Sequence, residues 1–293
     1  MIAATANAKI NLGLHVARLD RDGFHQVAGL FQSIGWSDRL EMADGADGIT
    51  GWDGGEVPDG ADNTAWRAVE AVRRRLESRR SVSLRLDKRI PVAAGLGGGS
   101  TDAAAALQLA CRWLGAPSSL AAELAADIGS DVPFCLEGGT ALVTGRGEQV
   151  AALPAVLGYA LAVVVPPVEL STADVYRAWD DLGGPAATPL PAGNLPPGLR
   201  SHAPLGNDLY PAAVAVAPLV AEWRHELEAR WGRPVAMTGS GPTLFGFFVD
   251  RDEAEAAVAG IPTGARAAKA VVPVTNGWSM LANGENDGLD SPT

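Results

Sequence analysis

The chain has 293 residues, room for two modest domains or one large one, and its 47% apolar and 19% charged residues are ordinary for a soluble globular enzyme. A net charge of −11 argues against nucleic acid or an anionic membrane as partner, and no apolar run reaches membrane-spanning length. Cys111 and Cys135 stand in apolar surroundings and read as reduced core residues. With no charged-then-apolar signal pattern at the N-terminus, a cytoplasmic location is expected.

In chain order, Ile2 to Val16 is predicted as a strand, with Ile10, Leu12 and Leu14 alternating. Lys9 is unusual between Ala8 and Ile10, because burying an unpaired ammonium is costly. An edge strand with Lys9 reaching into water fits the same pattern. Arg21-Asp22-Gly23-Phe24-His25 reads as a turn, followed by strands over Val27 to Trp36 and Arg39 to Met42. Asp44 to Gly60, dense in Gly and Asp, reads as a loop. Asn63 then caps a helix over Ala65 to Arg79. Arg73, Arg74, Arg75, Arg79 and Arg80 complement the dipole at its end and read as a solvated helix terminus, not a nucleic-acid patch.

Ser81 to Asp87 alternates as a half-buried strand and runs into Pro91-Val92-Ala93-Ala94-Gly95-Leu96-Gly97-Gly98-Gly99-Ser100-Thr101. From Thr101 to Gly115 an Ala- and Leu-rich stretch reads as a helix closed by a glycine. The glycines therefore occupy a strand-to-helix turn. There they permit positive φ and close approach of a ligand to backbone amides, at the positive end of a helix. This is the build of a phosphate cradle. No lysine follows Gly99, which excludes a Walker loop, and Ser100 stands where a dinucleotide fingerprint needs glycine. Because the global charge opposes a polyanion, the attraction must come from such local groups.

Further on, Ser118-Ser119 caps a second helix ending at Gly129, and Asp131 in Gly129-Ser130-Asp131-Val132-Pro133 can serve as an N-cap for the segment beyond Pro133. Thr140 to Leu153 reads as a hairpin turning at Gly145-Arg146-Gly147-Glu148. Tyr159 to Val165 is a buried strand, and Ser171-Thr172 caps a helix carrying Tyr176 and Trp179, which can pack together in a core. Proline-rich Gly183 to Leu205 reads as an irregular surface excursion. Helical segments from Asn207 to Trp231 precede a strand at Val235 to Met237, a second glycine turn at Thr238 to Thr243, and a strand over Leu244 to Val249. A helix over Asp252 to Ala259 and a strand over Ala265 to Val272 complete the pattern.

The run Pro-x-x-x-Gly-Leu-Gly-Gly-Gly-Ser-Thr-x-Ala-Ala resembles the ATP-binding signature of the GHMP superfamily, that of galactokinase, homoserine kinase, mevalonate kinase and phosphomevalonate kinase. The resemblance implies phosphoryl transfer from ATP to a small molecule, with ATP along Pro91, Val92, Ala93, Ala94, Gly95, Leu96, Gly97, Gly98, Gly99, Ser100 and Thr101. The phosphates are expected at the Ser100–Thr101 helix start. It also implies an α+β, two-domain fold. A ribosomal-protein-S5-like domain would cover 1–153 and a ferredoxin-like domain 154–275, with 276–293 a frayed tail.

Within that superfamily, Ala6-Asn7-Ala8-Lys9-Ile10-Asn11-Leu12 followed by Asp22-Gly23-Phe24-His25 resembles the 4-diphosphocytidyl-2-C-methyl-D-erythritol kinases of the non-mevalonate isoprenoid route. By this likeness Lys9 and Asp131 are catalytic, and Asn11, Phe24, His25, Tyr176, Thr238 and Gly239 bind a small substrate carrying a cytidine diphosphate group. Phe24 stands where tyrosine is common, which keeps the ring face and loses a hydroxyl. Mg²⁺ is expected with ATP, and no protein metal ligand is named. A homoserine- or mevalonate-type kinase would share the glycine loop without a use for His25 and Tyr176. A non-catalytic relative would have lost Lys9 or Asp131, and both are present.

Overall fold

In the computed structural model the described residues are 1–19, 23–52, 55, 57–58 and 60–282. Arg21 and Asp22 of the expected turn, and the expected tail beyond 282, lie outside them. The larger sheet is built on two long antiparallel strands, β1 (Ile2–Leu19) and β2 (His25–Ala43). β2 is one strand where the sequence pattern suggests two. The polar Ser37–Asp38 step stays in the ladder opposite Asn7 and Ala6 because both side chains are satisfied. Ser37 donates to Asn7 Oδ1 at 2.6 Å, and Asp38 Oδ1 accepts from the backbone N–H groups of Arg89 and Ile90.

β3 (Gly48–Gly51), inside the segment expected to be a loop, lies parallel to β4 (Ser83–Asp87), and β4 pairs with the C-terminal part of β2. The N-terminal part of β2 pairs with β5 (Thr140–Gly145), which forms the expected hairpin with β6 (Gln149–Leu153). A second, antiparallel sheet has the order β10 (Ala267–Val271), β7 (Ala160–Val165), β9 (Leu244–Phe248) and β8 (Ala236–Met237). The last strand in sequence, β11 (Trp278–Leu281), returns to the first sheet and pairs with Ala3–Ala6 of β1. This corrects the frayed-tail reading for its described part, 276–282. The free edge of β1 satisfies the β11 backbone, a pairing partner more than 270 residues away.

Helix α2 (Gly98–Leu114) lies against β1 and β2, with α1 (Thr64–Arg75), α3 (Ser119–Ile128) and α4 (Val132–Glu137) around it. Ala103 to Ala106 are all fully buried, so four small side chains let its neighbours approach on every side. Helices α5 (Thr172–Asp181), α6 (Tyr210–Val216), α7 (Leu219–Trp231) and α8 (Arg251–Ala259) accompany the second sheet. The architecture is α+β. Among the described residues no helix is long and apolar enough to cross a membrane. Gly183 to Leu205 runs over the surface as expected, with most of its residues exposed, and is anchored by Leu190, Leu195, Leu199 and Leu205, which are buried in the core between the sheets.

β1 explains how a lysine comes to lie inside the protein. Ala4 and Ala6 face the helix-side core, whereas Ala8, Ile10 and Leu12 face the core between the sheets, and Leu14 faces the first again. The register against β2 is irregular between Asn7 and Lys9 and again between Asn11 and Gly13. Each irregularity turns the strand, as bulges do beside functional sites. The short segment between them therefore presents Lys9 and Asn11 on a face of their own.

Candidate active site

Lys9 is buried, and its ammonium has three neighbours. Nζ lies 3.2 Å from Asp131 Oδ2, donates to Asn11 Oδ1 at 2.9 Å, and stands 5.2 Å from the centre of the Phe31 ring. The lysine does stand on a stretch of β1 with a strand on one side alone, but the glycine loop covers the other side and the ammonium does not reach into water. Asp131 occupies the residue before α4, yet its carboxylate caps nothing there, so capping does not account for it. Its side chain is about a third exposed at the floor of a cavity of about 550 Å³. A buried ammonium and an accessible carboxylate are thus presented together to that cavity.

Asn11 and Thr238 stand behind the pair. Thr238 is fully buried; its hydroxyl accepts from the Asn11 backbone N–H at 2.8 Å and donates to Asn11 Oδ1 at 3.2 Å. This corrects the expectation that Thr238 touches substrate, because that hydroxyl is used in holding Asn11 and, through it, Lys9. Gly239 does line the cavity, beside Ser240, whose hydroxyl shares a 2.9 Å hydrogen bond with that of Thr172 on α5. Ser130, Arg146, Thr172 and Ser240 complete the wall and were not singled out in the sequence. They are short polar or turn residues whose types carry no pattern.

The glycine loop is fastened to this strand. The Lys9 backbone N–H, like those of Asn7 and Asn11 on the side of β1 away from β2, finds its partner outside that ladder, the Leu96 carbonyl at 2.9 Å. Gly97 has φ +71°, and a Cβ built on it meets Lys9 Cγ at 2.8 Å and Cε at 2.9 Å. Gly95 has φ +76° and backs onto the second glycine turn, its Cβ position 2.8 Å from the Thr238 carbonyl. The helix begins at Gly98, three residues before the expected start. Thr101 N–H already donates to Gly97 O, so the unpaired N–H groups belong to Gly98, Gly99 and Ser100. Thr101 itself is fully buried, with its hydroxyl donated to the Asn7 carbonyl at 2.7 Å, which corrects its assignment as a nucleotide ligand. Ala94 and Leu96 likewise bury their side chains, leaving only their backbones to a ligand. Pro91, Val92, Ala93 and Asn63 line a second cavity of about 330 Å³ outside the loop. Gly95, Gly97 and Ser100 line both cavities, so the helix start lies between them. At that junction the helix-start amides converge and Cβ atoms added to Gly95, Gly97 or Gly98 have no room, the build of an anion cradle.

At the other end of the large cavity His25 is already engaged. Nδ1 donates to the Ala17 carbonyl at 2.9 Å, and Nε2 lies 3.2 Å from Asp180 Oδ2. Its ring lies 5.0 Å from Tyr176, tilted by 31°, and 5.4 Å edge-on from Trp179. Both ring nitrogens of His25 therefore have protein partners. Tyr176 lines the cavity, while Trp179 is buried behind it. Burial, reinforced by the charge of Asp131, pushes the Tyr176 hydroxyl up to about 12, so it stays neutral. Phe24 is 51% exposed on the same wall, with the Arg146 guanidinium 4.2 Å over its ring.

The family profile described as GHMP kinases N terminal domain matches residues 63–139, which span α1, the glycine loop and Asp131. A 4-diphosphocytidyl-2-C-methyl-D-erythritol kinase from Pelotomaculum thermopropionicum is 43% identical over 87% of this chain and 91% of its own. The kinase of that name from Bacillus subtilis is 37% identical over 84% and 87%. A crystal structure of 4-(cytidine 5'-diphospho)-2C-methyl-D-erythritol kinase superimposes with a TM-score of 0.76 at 34% identity, covering 92% of this chain and 98% of that one. The chain belongs to the 4-diphosphocytidyl-2-C-methyl-D-erythritol kinase family. Homoserine kinase from Cytophaga hutchinsonii, at 18% identity and a TM-score of 0.65, shares the fold. Membership makes this an ATP-dependent small-molecule kinase with the two-domain GHMP architecture.

In this member of the 4-diphosphocytidyl-2-C-methyl-D-erythritol kinase family three charged side chains lie beneath the glycine loop. Lys88 Nζ sits between Asp38 and Asp102, 2.8 Å from the latter, and 2.7 Å from the Cβ position of Gly98. Burial alone would lower the Lys88 pKa, but Asp102 and Asp38 together hold it above its ordinary value. Asp102 is pushed well up, first by burial and then by the Asp38 charge, against the pull of Lys88. Its Oδ1 has no partner. A group whose pKa rises on folding contributes stability that is complete below its unfolded pKa and is lost as pH climbs through the folded one. Asp102→Asn is expected to remove that loss, because an amide needs no proton to lie beside Asp38. Melting temperatures across pH should show the variant gaining on the parent as pH rises from 3.8, the ordinary carboxylate value, towards neutrality. A difference independent of pH would show that Asp102 is ionised throughout.

Proposed function

We propose that this protein transfers the γ-phosphoryl group of ATP to the 2-hydroxyl of 4-diphosphocytidyl-2-C-methyl-D-erythritol, giving the 2-phosphate, in the cytoplasm. The observation that carries this is the placement of the Lys9–Asp131 pair, with the free amides of the Gly98 helix start on one side and the Tyr176 aromatic wall on the other. ATP lies along the loop from Pro91 to Ser100 with its phosphates on the amides of Gly98, Gly99 and Ser100. The acceptor hydroxyl lies at Asp131, which orients it and accepts its proton as the new P–O bond forms. The Lys9 ammonium, fixed by Asp131 and Asn11, offsets charge on the phosphoryl group in flight. Mg²⁺ entering with ATP would supply charge neutralisation on the phosphates, and among the described residues no cluster of three or more Asp, Glu, His or Cys side chains would cage it.

A nucleobase plays no part in the transfer, so an aromatic wall serves selection. Tyr176 offers a face for a cytosine ring, worth about 1–3 kcal/mol by analogy with base–aromatic stacking in nucleic-acid binding. The Phe24–His25 backbone is left to meet the polar edge, because the His25 ring is occupied. Tyr176→Ala is expected to raise the Michaelis constant for the cytidyl acceptor about tenfold or more with that for ATP nearly unchanged. Tyr176→Phe should be nearly silent, the hydroxyl being neutral and unneeded. Turnover of ATP with the cytidyl acceptor, homoserine and mevalonate side by side tests the whole reading. Preference for either of the latter two would overturn it.

A further inference from the structure

The outer turn of the glycine loop is strained. Ala93 has φ +52°, in the left-handed region that a residue with a Cβ enters at a cost, and such a residue persists where its surroundings hold it. Burial does not hold it here, because Val92 and Ala93 are both exposed. The constraint comes from the side of the second sheet. Arg266, the residue before β10, donates from Nη2 to the Val92 carbonyl at 2.9 Å. That carbonyl belongs to the peptide whose nitrogen carries the Ala93 φ, so the bond fixes the plane about which the strained rotation is made.

The same guanidinium holds a second segment. Nη1 donates to the Val168 carbonyl at 3.4 Å, and Nη2 lies 3.2 Å from the Glu169 carboxylate. The Arg266 backbone is itself anchored, its N–H donating to the Val165 carbonyl at the end of β7 at 2.9 Å. Val168 and Glu169 lie in the link 166–170, which begins with Pro166-Pro167 and ends at buried Leu170. Ser171 follows as the cap of α5, and Thr172 and Tyr176 of that helix line the large cavity. Two prolines and a buried leucine leave this link little freedom of its own, so a displacement at Val168 is passed to the start of α5.

Arginine suits such a place, because its planar fork of donors can address carbonyls of two separate segments at once. The ion pair adds little, since the Glu169 side chain is 73% exposed. We infer that Arg266 is a positioning residue that couples the nucleotide loop to the acceptor wall, so that ATP and the acceptor each bind more tightly when the other is present. This rests on the reading of ATP along the loop from Pro91 and of the acceptor against α5. ATP packed on Pro91, Val92 and Ala93 holds the Val92 carbonyl still, which orders the guanidinium and, through Val168, the entry to α5. An acceptor on Thr172 and Tyr176 orders the same link from its other end, and the two effects are equal by linkage.

Calorimetric titration of a non-hydrolysable ATP analogue, with and without saturating 4-diphosphocytidyl-2-C-methyl-D-erythritol, measures the coupling. The parent is expected to bind the analogue about fivefold or more tighter with the acceptor present. Arg266→Met, which keeps the stem and loses the donors, should bring that ratio to within about twofold of unity. Arg266→Lys, which keeps the charge and loses the fork, should likewise lose most of the effect, and it gives the same decision if the methionine variant does not fold. Glu169→Gln should keep the parental ratio. The single-turnover rate at saturation with both substrates should stay near parental in all three, because Arg266 acts on binding and not on the transfer. If the parent shows no mutual effect, or if a folded Arg266 variant keeps the parental ratio, the inference fails while the ATP reading stands. If the parent does not bind the analogue at all, the reading of the loop fails and the role of Arg266 with it.

Discussion

Asp131→Asn is expected to bind ATP and the cytidyl acceptor with near-parental affinity and to turn over about 10²–10⁴-fold more slowly. The amide matches the carboxylate in size, so the cavity keeps its shape, but it cannot accept the hydroxyl proton. It also leaves the Lys9 ammonium without the charge that lies 3.2 Å away. Lys9→Ala should lose a comparable factor by a different route, through charge left unbalanced on the transferring group. Because both residues serve one transition state, the double variant should lose less than the two single losses combined. Single-turnover kinetics at saturating substrate isolate the chemical step. Should Asp131→Asn retain most of its rate, the carboxylate is a structural partner of Lys9 and the mechanism is wrong.

Gly97→Val should abolish ATP binding, and the structure supplies two separate reasons. The backbone at φ +71° is one that a β-branched residue adopts only at a cost of about 1–3 kcal/mol. The new Cβ would also fall 2.8–2.9 Å from the Lys9 stem, which has no freedom to retreat because its ammonium is bound at the far end. Relief must come from moving the loop, and the amides of Gly98, Gly99 and Ser100 move with it. Gly98→Val should fail through a different contact, its Cβ lying 2.7 Å from Lys88 Nζ and 3.1 Å from Ile90 Cγ2. Titration with a non-hydrolysable ATP analogue, beside circular dichroism to confirm folding, measures the effect. Parental affinity in a folded Gly97→Val protein would remove the phosphates from this turn.

Much of the site was legible because its chemistry is local. Four glycines between an alternating strand and an alanine-rich helix specify a cradle from neighbouring residues alone, and Lys9 between Ala8 and Ile10 announced itself by its misplaced charge. The long strands, the hairpin and the helices were similarly readable from period and punctuation, with their ends shifted by a few residues. What sequence spacing left open was the partner of each polar group. Thr101 and Thr238 look like ligands beside glycines, yet one hydroxyl is turned to the Asn7 carbonyl and the other to Asn11.

The sequence by itself thus determined a glycine-rich helix start and a lysine out of place on an apolar strand, and its resemblance to the family implied a lysine and an aspartate for transfer and aromatic residues for a ring. Only the tertiary structure decided which side chains face the substrate. It turned the His25 ring into a bracket for α5, set Trp278–Leu281 beside β1, and brought the Arg146 turn between Phe24 and Ser130. The physical reason is separation along the chain. A strand register or a hydrogen bond between residues a hundred or more apart depends on how the whole core closes, and periodicity within either segment carries no information about that closure.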